Sequence, residues 1–386
     1  MTSGYVKEVR PGNPATVDVS FYVTSIDSVS LKDESFSVSG FFNMAWSDSR
    51  LTWTPASYNN MDLVSFLPGV VWHPRIIVLN SQNDLSAIEE SSIPMRVSST
   101  GAVTWQPTKI LTLSCEMDTS FYPFDKQTCD IRLNTFGLNG AELALSSSLG
   151  ISMNYFTENG EWIVDSTEVE ILTPVDPAGH VHYNIKYTFR MTRRSAIYWM
   201  KIVFPILIKA YIIPLVFLLP TDGGSKMGFS LSTLLAFVLV LTVIEKDLPD
   251  TALYTSILEI QIILVLLLSG MSVAIASFVD FYGRKKDDIA PRHVCRVASW
   301  FSSLMCRERR GFAGSGNVVK VEPVAVEMSA GEETKKVSGE ASEMTSEMTC
   351  LEFAQIMDQF FFRSYMVMVT LMIFGFLFVL VFGASH

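Results

Sequence analysis

Residues 220–249 of the chain read PTDGGSKMGFSLSTLLAFVLVLTVIEKDLP, and this stretch decides the fold because it predicts a helix that crosses a membrane. Eighteen uncharged residues separate Lys226 from Glu245. At about 1.5 Å per residue they would cross most of a hydrocarbon core roughly 30 Å thick. We therefore expect a membrane-spanning helix over 226–246.

One face of this predicted helix is unlike a face that contacts lipid. Steps of four and three residues from Gly228 give a stripe that is polar at both ends and apolar between them. Its members are Gly228, Ser232, Leu235, Leu239, Thr242 and Lys246. Such a stripe suits a water-filled pore with an apolar constriction. Serine and threonine also form hydrogen bonds between packed helices, so packing remains an alternative.

The composition indicates a chain that is partly in the membrane and partly in water. Of 386 residues 49% are hydrophobic, and the mean hydropathy is +0.31. The net charge of −10 argues against a nucleic-acid partner. No H-E-x-x-H, G-x-S-x-G or P-loop pattern is present, so we expect neither an enzyme nor a cofactor. His180 and His182 are too few for a closed metal site.

The first half of the chain has the pattern of an all-β domain. Turns separate many short strand candidates between residues 15 and 194, and apolar side chains alternate with polar ones along 16–30 and 35–46. No helix of useful length interrupts them. Many short strands at this spacing predict a sandwich or barrel with one core.

Four hydrophobic segments follow, and basic residues cluster after the third of them. The positive-inside rule places that interval in the cytoplasm, and the β domain and both termini outside. The interval combines an amphipathic segment with a linker whose composition is typical of disorder. We expect an extracellular domain over 1–195, transmembrane helices 1–3 within 196–280 (197–219, 226–246 and 253–279), an intracellular loop over 281–362, and a fourth transmembrane helix with an extracellular end over 363–386.

Two of the five cysteines, Cys115 and Cys129, precede the hydrophobic segments. If the membrane divides an oxidising from a reducing side, only these two are disulfide candidates. A disulfide-bearing ectodomain would need a signal sequence, and residues 1–4 begin none. We therefore expect this sequence to be that of a mature or engineered form.

Several short motifs, spread along the chain, belong together in one known family. Thirteen residues separate Cys115 from Cys129, with Tyr122-Pro123-Phe124-Asp125 among them. Further motifs are Trp46-Ser-Asp-x-x-Leu51-x-Trp53, Trp72-x-Pro74 with Asn80, and LLPTDGGSKM ahead of SLSTLL. A short disulfide loop alone could be a plain structural staple. Together with four spans, the motifs resemble the Cys-loop receptors, pentameric ligand-gated ion channels that include the nicotinic acetylcholine receptors. Within the family the resemblance is nearest to nicotinic-like subunits, and we expect the chain to be an invertebrate or orphan member.

The resemblance implies an immunoglobulin-like extracellular sandwich, a four-helix transmembrane bundle and a homopentamer in the plasma membrane. The implied partners are four further subunits, a small organic ligand, inorganic ions and membrane lipids. The second helix would line the pore through Ser225, Gly228, Ser232, Leu235, Leu239, Thr242 and Lys246. Leu235 and Leu239 would close it, with packing against neighbouring helices as the alternative.

The family's ligand site lies between subunits and is walled by aromatic rings. The resemblance implies Leu79, Phe136, His182 and Tyr183 on the principal face, and Phe41 and Trp105 on the complementary face. Leu79 stands where nicotinic receptors carry tyrosine, and Phe136 where they carry tryptophan, so a cation cage would be weakened. We therefore expect a small organic ligand other than acetylcholine, with core packing as the alternative for each ring.

Coupling between ligand and pore is implied at the membrane face of the ectodomain. The candidates are Asp33, Glu34, Tyr122, Pro123, Phe124, Asp125, Arg193, Arg194 and Pro249, with static charge pairing as the alternative.

Charge selectivity is less specified by the sequence. Ser225 replaces the glutamate of cation channels, and Gly224-Ser225 replaces the Pro-Ala of anion channels. The sequence LLPTDGGSKM, which precedes the predicted pore helix and resembles that of nicotinic receptors, favours cation selectivity. Two alternatives remain: an anion-selective channel of the same family, and a non-conducting ligand-binding or adhesion protein.

Overall fold

The structure is a computed structural model that describes residues 4–83, 85, 87–135, 137–220, 224–244, 255–285, 291, 296, 300–301 and 349–383. Three residues of the predicted sites, Phe136, Lys246 and Pro249, lie outside the described residues. Most of the predicted intracellular loop does so as well.

The chain forms two compact units. The first comprises Met1–Ile208, Phe237–Val265 and Ile373–His386, and contains the β domain. The second comprises Lys209–Ala236 and Leu266–Met372, and its described part is helical.

The described part of the β domain contains twelve strands in two sheets. One sheet has the order β10-β1-β2-β6-β5-β3, with β7 also paired to β2 and β9 to β1; the other has the order β11-β12-β8-β4. The strands are β1 (Ala15–Ser30), β2 (Ser35–Ser47), β3 (Leu63–Phe66), β4 (Ile77–Val78), β5 (Met95–Ser98), β6 (Ala102–Trp105), β7 (Thr108–Ser114), β8 (Lys126–Asn134), β9 (Leu143–Ser146), β10 (Ile151–Ser152), β11 (Trp162–Leu172) and β12 (Asn184–Arg193). Short 3₁₀ turns cover Ser49–Leu51 and Pro55–Tyr58.

The core lies between the sheets and is built by the predicted alternation. The apolar side chains of 17, 19, 21 and 23 are fully buried, as are Phe36 and Val38 on the neighbouring strand. Rings meet across the sheets, with Phe36 and Phe189 centroids 5.5 Å apart. The Tyr187 hydroxyl, also buried, donates to the carbonyl of Val19 at 2.6 Å. The predicted sandwich is confirmed.

Four helices among the described residues are long and apolar enough to cross a membrane. They are α1 (Ala196–Leu218), α2 (Ser225–Ile244), α3 (Ile257–Gly283) and α4 (Cys350–Gly383). The predicted fold class, an extracellular β-sandwich followed by a helical region with four apolar helices, is confirmed.

Prolines explain why α1 is irregular. Pro205 has no N–H for the carbonyl four residues before it, and a π-helical turn covers Trp199–Val203 just upstream. Pro214 lies at the start of a 3₁₀ segment over Ile213–Leu218, which ends the helix.

A capping box sets the start of α4. The Glu352 carboxylate accepts the Thr349 N–H, and the Thr349 hydroxyl accepts the Glu352 N–H at 3.3 Å. Helix α4 therefore begins at Cys350, ahead of the fourth transmembrane helix predicted from residue 363, and is longer than the hydrophobic segment alone.

Candidate functional site

Arg193, the last residue of β12, is the centre of a buried charge cluster. Its guanidinium donates to both carboxylate oxygens of Asp125, at 2.7 and 3.1 Å, and also to Glu161. The side chains of Arg193 and Asp125 are 3% and 1% exposed. Gln127 donates to the same Asp125 carboxylate at 2.7 Å. A buried charge is tolerated only when paired and hydrogen-bonded in this way, so the cluster has one well-satisfied geometry.

Aromatic rings enclose the guanidinium of Arg193. Its Cζ lies 4.1 Å from the ring centroid of Trp162, 5.3 Å from Tyr122 and 5.2 Å from Tyr198. The Tyr198 hydroxyl donates to Glu161 at 2.6 Å. Because Tyr198 lies on α1, the cluster joins the last β-strand to the first membrane helix.

The loop closed by Cys115 and Cys129 meets three helices. The predicted disulfide is present, with the two Cα atoms 5.4 Å apart. The Phe124 and Trp199 rings are 6.2 Å apart, and the Ile257 N–H at the start of α3 donates to the Ser120 carbonyl at 3.1 Å.

At the end of α4, Phe121 lies against Gly383 and leaves no room for a Cβ there. The loop thus touches the ends of α1, α3 and α4 within one compact unit.

Among the described residues, the side chains of three further predicted coupling residues, Asp33, Glu34 and Arg194, take no part in the hydrogen bonds of this cluster. Arg194 pairs with the exposed Glu158 at 3.1 Å. It does not pair with Asp33 or Glu34 in the described turn between β1 and β2. The Glu34 carbonyl accepts the Cys115 N–H at 2.9 Å, which ties that turn to the loop through the backbone. The Asp33 carboxylate accepts from the nearby Ser30 hydroxyl at 2.8 Å.

Sequence reasoning missed Glu161 and Trp162, which complete the Arg193 cluster. The strand register could have identified them, because Trp162 lies directly opposite Arg193 on the β11–β12 ladder.

The predicted stripe on α2 is exposed along one face. Leu235 and Leu239 are 64% and 61% exposed, and Gly228, Ser232 and Thr242 are exposed with them. Ser225, at the start of the helix, is exposed too. The opposite face is buried, and its members are Lys226, Ser230, Thr233 and Phe237. The helix therefore has one packed face and one free face within the single chain.

Lys226 is buried on that packed face. Its Nζ donates to the Asp358 carboxylate of α4, and the side chain is 0% exposed. The Phe217 ring centroid lies 5.9 Å from the same Nζ. The charge that begins α2 is thus directed away from the exposed stripe.

On the principal face of the predicted ligand site, His182 and Tyr183 lie beside the loop 137–140. A Cβ at Gly140 would lie 2.9 Å from Cε2 of Tyr183, so the ring packs directly on that glycine. The His182 Nδ1 is 3.2 Å from the Leu138 carbonyl oxygen. Leu79 is exposed beside β8, where its N–H donates to the Arg132 carbonyl at 2.8 Å.

On the complementary face, Phe41 belongs to an aromatic trio that sequence reasoning missed. Its ring stacks on Tyr22 with centroids 4.8 Å apart and an angle of 5°, and lies 5.7 Å from the exposed Tyr155. The pairing of Tyr22 with Phe41 in the β1–β2 register is the signal that could have found it. Trp105 is fully buried, edge-on to His73, and donates to the Ile93 carbonyl at 3.1 Å. Within this chain Trp105 is therefore part of the core, which is the alternative to a ligand-site role given for that position.

Comparisons with known proteins match both parts of the chain. Residues 1–195 match the model of the neurotransmitter-gated ion-channel ligand binding domain, and residues 202–358 match that of the neurotransmitter-gated ion-channel transmembrane region. The chain belongs to the neurotransmitter-gated ion-channel family.

Individual relatives within the family are nicotinic. The chain is similar to the acetylcholine receptor subunit delta of Xenopus laevis, with 30% identity over 69% of this chain and 55% of that subunit. It is also similar to the neuronal acetylcholine receptor subunit alpha-6 of Rattus norvegicus, with 27% identity over 71% of this chain and 57% of that subunit. The chain thus matches little more than half the length of these relatives.

The two family regions contain the two sets of residues described above. The ligand binding domain of this neurotransmitter-gated ion-channel chain holds Arg193 with Asp125 and Glu161, the aromatic trio and the hairpin with Tyr183. The transmembrane region holds the exposed stripe of α2 and its buried Lys226. The predicted resemblance to Cys-loop receptors of the nicotinic kind is confirmed.

Proposed function

We propose that this chain is one subunit of a homopentameric ligand-gated ion channel in the plasma membrane. A small organic ligand binds between neighbouring extracellular domains and opens a pore that the five α2 helices line. The pore conducts cations. Both chain termini lie outside the cell and the interval after α3 lies inside.

The exposed stripe of α2 is the observation that carries this proposal. A helix whose whole surroundings were lipid or packed neighbours would have no need for Gly228, Ser232 and Thr242 on its free face. Around a five-fold axis these positions would face water, and Leu235 and Leu239 would form apolar rings that expel it. A non-conducting binding or adhesion protein would not need this stripe.

The ligand site is proposed at the junction of two copies. One copy contributes the hairpin with His182 and Tyr183, together with Leu79 and Phe136; the next contributes Phe41 with Tyr22 and Tyr155. Stacked rings with an exposed face attract organic cations and flat apolar ligands. The relatives named as acetylcholine receptor subunits make an amine a reasonable first choice, although Leu79 weakens a cage for it.

Gating is proposed to pass through the Arg193 cluster. Ligand-driven movement of β12 would shift Arg193 against Asp125 of the disulfide loop, and the loop touches α1, α3 and α4. A densely packed cluster of this kind transmits displacement because it has few intermediate arrangements.

Current recording in oocytes that express this chain alone tests the proposal. We expect a member of a broad panel of amines and other small organic molecules to evoke current. Dilution of external NaCl should move the reversal potential in the direction of the sodium potential. A shift that follows chloride would instead support the anion-selective alternative. Surface-expressed protein that passes no current under any ligand would support the non-conducting alternative.

The aromatic trio gives the same assay a matched pair of variants. Tyr155→Ala should raise the half-maximal ligand concentration by about 2- to 30-fold, as loss of one desolvated ring contact does. Tyr58→Ala removes another exposed tyrosine of the same domain, outside the trio, and should leave that concentration unchanged. Equal effects of the two substitutions would contradict the proposed site.

A further inference from the structure

The hairpin between β11 and β12 is organised by one carboxylate. Asp176 Oδ1 accepts the backbone N–H groups of Ala178 at 2.9 Å and of His180 at 2.8 Å. Its other oxygen, Oδ2, lies 3.2 Å from Nδ1 of His180 and 3.3 Å from Nε2 of His182. Both oxygens of Asp176 are therefore engaged, and two imidazole rings share one of them.

His182 also reaches out of the hairpin. Its second ring nitrogen, Nδ1, lies 3.2 Å from the carbonyl oxygen of Leu138. Beside it the Gly140 N–H donates to the carbonyl of Val181 at 2.6 Å. His182 thus bridges the hairpin to the loop 137–140, on which the Tyr183 ring packs.

The two contacts of His182 require an N–H donor on each of its two ring nitrogens. A neutral imidazole has one N–H donor and one lone pair. Both nitrogens of His182 face oxygen atoms, a backbone carbonyl on one side and a carboxylate on the other, and neither oxygen can donate when Asp176 is ionised. Each neutral tautomer would leave one lone pair pointing at an acceptor. Only the imidazolium, which donates at both nitrogens, satisfies the observed arrangement.

We propose that His182 is a proton-binding site that latches the β11–β12 hairpin to the loop 137–140. With the proton bound, both hydrogen bonds hold the hairpin in place; once the proton leaves, one of them is lost and the hairpin loosens. Histidine side chains in general change charge between about pH 5 and 8, and this is the range to test. The consequence for ligand affinity, through Tyr183, rests on the function proposed above. The latch itself does not.

The charged groups around His182 comprise two carboxylates and two cationic or titratable side chains. The His180 backbone N–H and the two histidine side chains lower the pKa of Asp176 to about 2, so this carboxylate stays ionised throughout the range. On the loop side stands Glu142, and a hydrogen bond from the Asn139 backbone lowers its pKa as well. Two cationic or titratable groups oppose them, His180 on the shared carboxylate and Arg10, which pairs with Glu142 at 2.8 Å.

The direction of the pH dependence follows from the proton count. The latched hairpin binds one proton more than the loosened one, so latching is favoured at low pH and lost as pH rises. For one proton, the opening equilibrium changes by at most about tenfold per pH unit.

Hydrogen exchange on the purified 386-residue chain, read by mass spectrometry without ligand, tests the latch. After correction for the intrinsic pH dependence of exchange, peptides over 174–183 and 137–140 should lose protection as pH rises from about 5.5 to 8. His182→Asn keeps a donor for the Leu138 carbonyl but cannot take up a proton, so its protection should not change with pH. His182→Arg donates to both oxygens at every pH and should stay protected throughout.

His180→Asn is the matched control, since His180 contacts Asp176 through one nitrogen and, among the described residues, its side chain makes no hydrogen bond to another loop. It should keep the pH dependence of the unsubstituted chain. The proposal is overturned if His182→Asn keeps that dependence, or if His180→Asn abolishes it. Exchange is measured without current, so absence of channel activity would contradict the proposed function and leave the latch standing.

Discussion

Arg193 shows how one residue can join two parts of a receptor. Its fork of donors engages Asp125 bidentately and Glu161 as well, while three rings cover its faces. The family motif points to Arg193 and Asp125 from sequence alone. Glu161 and Trp162 became evident only from strand register, because 32 residues separate Arg193 from Glu161 and local patterns carry no pairing information across that distance.

Arg193→Gln should destabilise the extracellular domain strongly. It leaves the Asp125 carboxylate buried without its cation, a change that typically costs about 3–5 kcal/mol. We expect a large fall in melting temperature of the purified chain and loss of surface expression. The adjacent Arg194→Gln is the control: its ion pair with Glu158 is 41% and 84% exposed, and should matter by less than about 1 kcal/mol. Similar melting temperatures for the two variants would contradict the assigned burial of Arg193.

Asp176 should also make the stability of the hairpin depend on pH in strong acid. Its pKa is lowered to about 2 by the His180 backbone and the two histidines, so the ionised form stabilises the folded hairpin. A group with a lowered folded pKa contributes this stability above its unfolded value of about 3.9 and loses it as pH falls toward 2. Amide exchange over 176–182 should therefore rise in strong acid, and Asp176→Asn should be exchange-labile at neutral pH already. Unchanged protection in Asp176→Asn would contradict this role.

At the scale of elements, the pairing of Lys226 with Asp358 ties the start of α2 to α4. The two residues are 132 positions apart, and the sequence offers no periodicity that links them. Sequence reasoning therefore found the exposed face of α2, which repeats along the helix, and missed the partner on its buried face.

Asp358→Asn should destabilise the helical unit by about 3–5 kcal/mol, because it leaves the Lys226 ammonium buried and unpaired. Replacing both partners with apolar residues, Lys226→Met with Asp358→Met, should recover most of the melting temperature of the detergent-solubilised chain. Lys285→Gln is the control, since it removes an exposed charge of the same unit that lies over the Phe281 ring. No difference between Asp358→Asn and Lys285→Gln would exclude this role of the buried pair.

The β domain was predictable where apolar side chains alternate over many residues. This holds for β1 and β2, whose buried positions follow the expected period of two. Strands β3, β5, β9 and β10 have two to four residues each, too few for a period to emerge. Tertiary pairing, and not local propensity, makes them strands.

At the scale of the whole molecule, the proposed site needs more than one copy of the chain. The proposal assigns the hairpin with Tyr183 to the principal face and the trio around Phe41 to the complementary face, so two copies would complete the site. Sequence reasoning could name residues of the site wall by resemblance. It could not find the trio, which depends on the pairing of β1 with β2 and on Tyr155 from a distant segment. Phe136, a wall residue in that prediction, lies outside the described residues.

Expression of this chain alone should yield a pentamer. Native mass measurement of the solubilised protein should give five copies of the 43.0 kDa chain. The physical reason is that one chain supplies both faces of every interface. Monomers that assemble only after co-expression with a second family subunit would contradict a homopentamer and favour a heteromer.

The most direct test of the central claim compares two neighbouring positions of α2. In the current-conducting receptor, Ser232→Cys on the exposed stripe should react with a water-soluble methanethiosulfonate reagent, and the current should be blocked, faster while ligand is present. Thr233→Cys, on the buried face, should stay unmodified and conduct normally. Block at position 233 without block at 232 would contradict a pore lined by this stripe, as would an absence of modification at both.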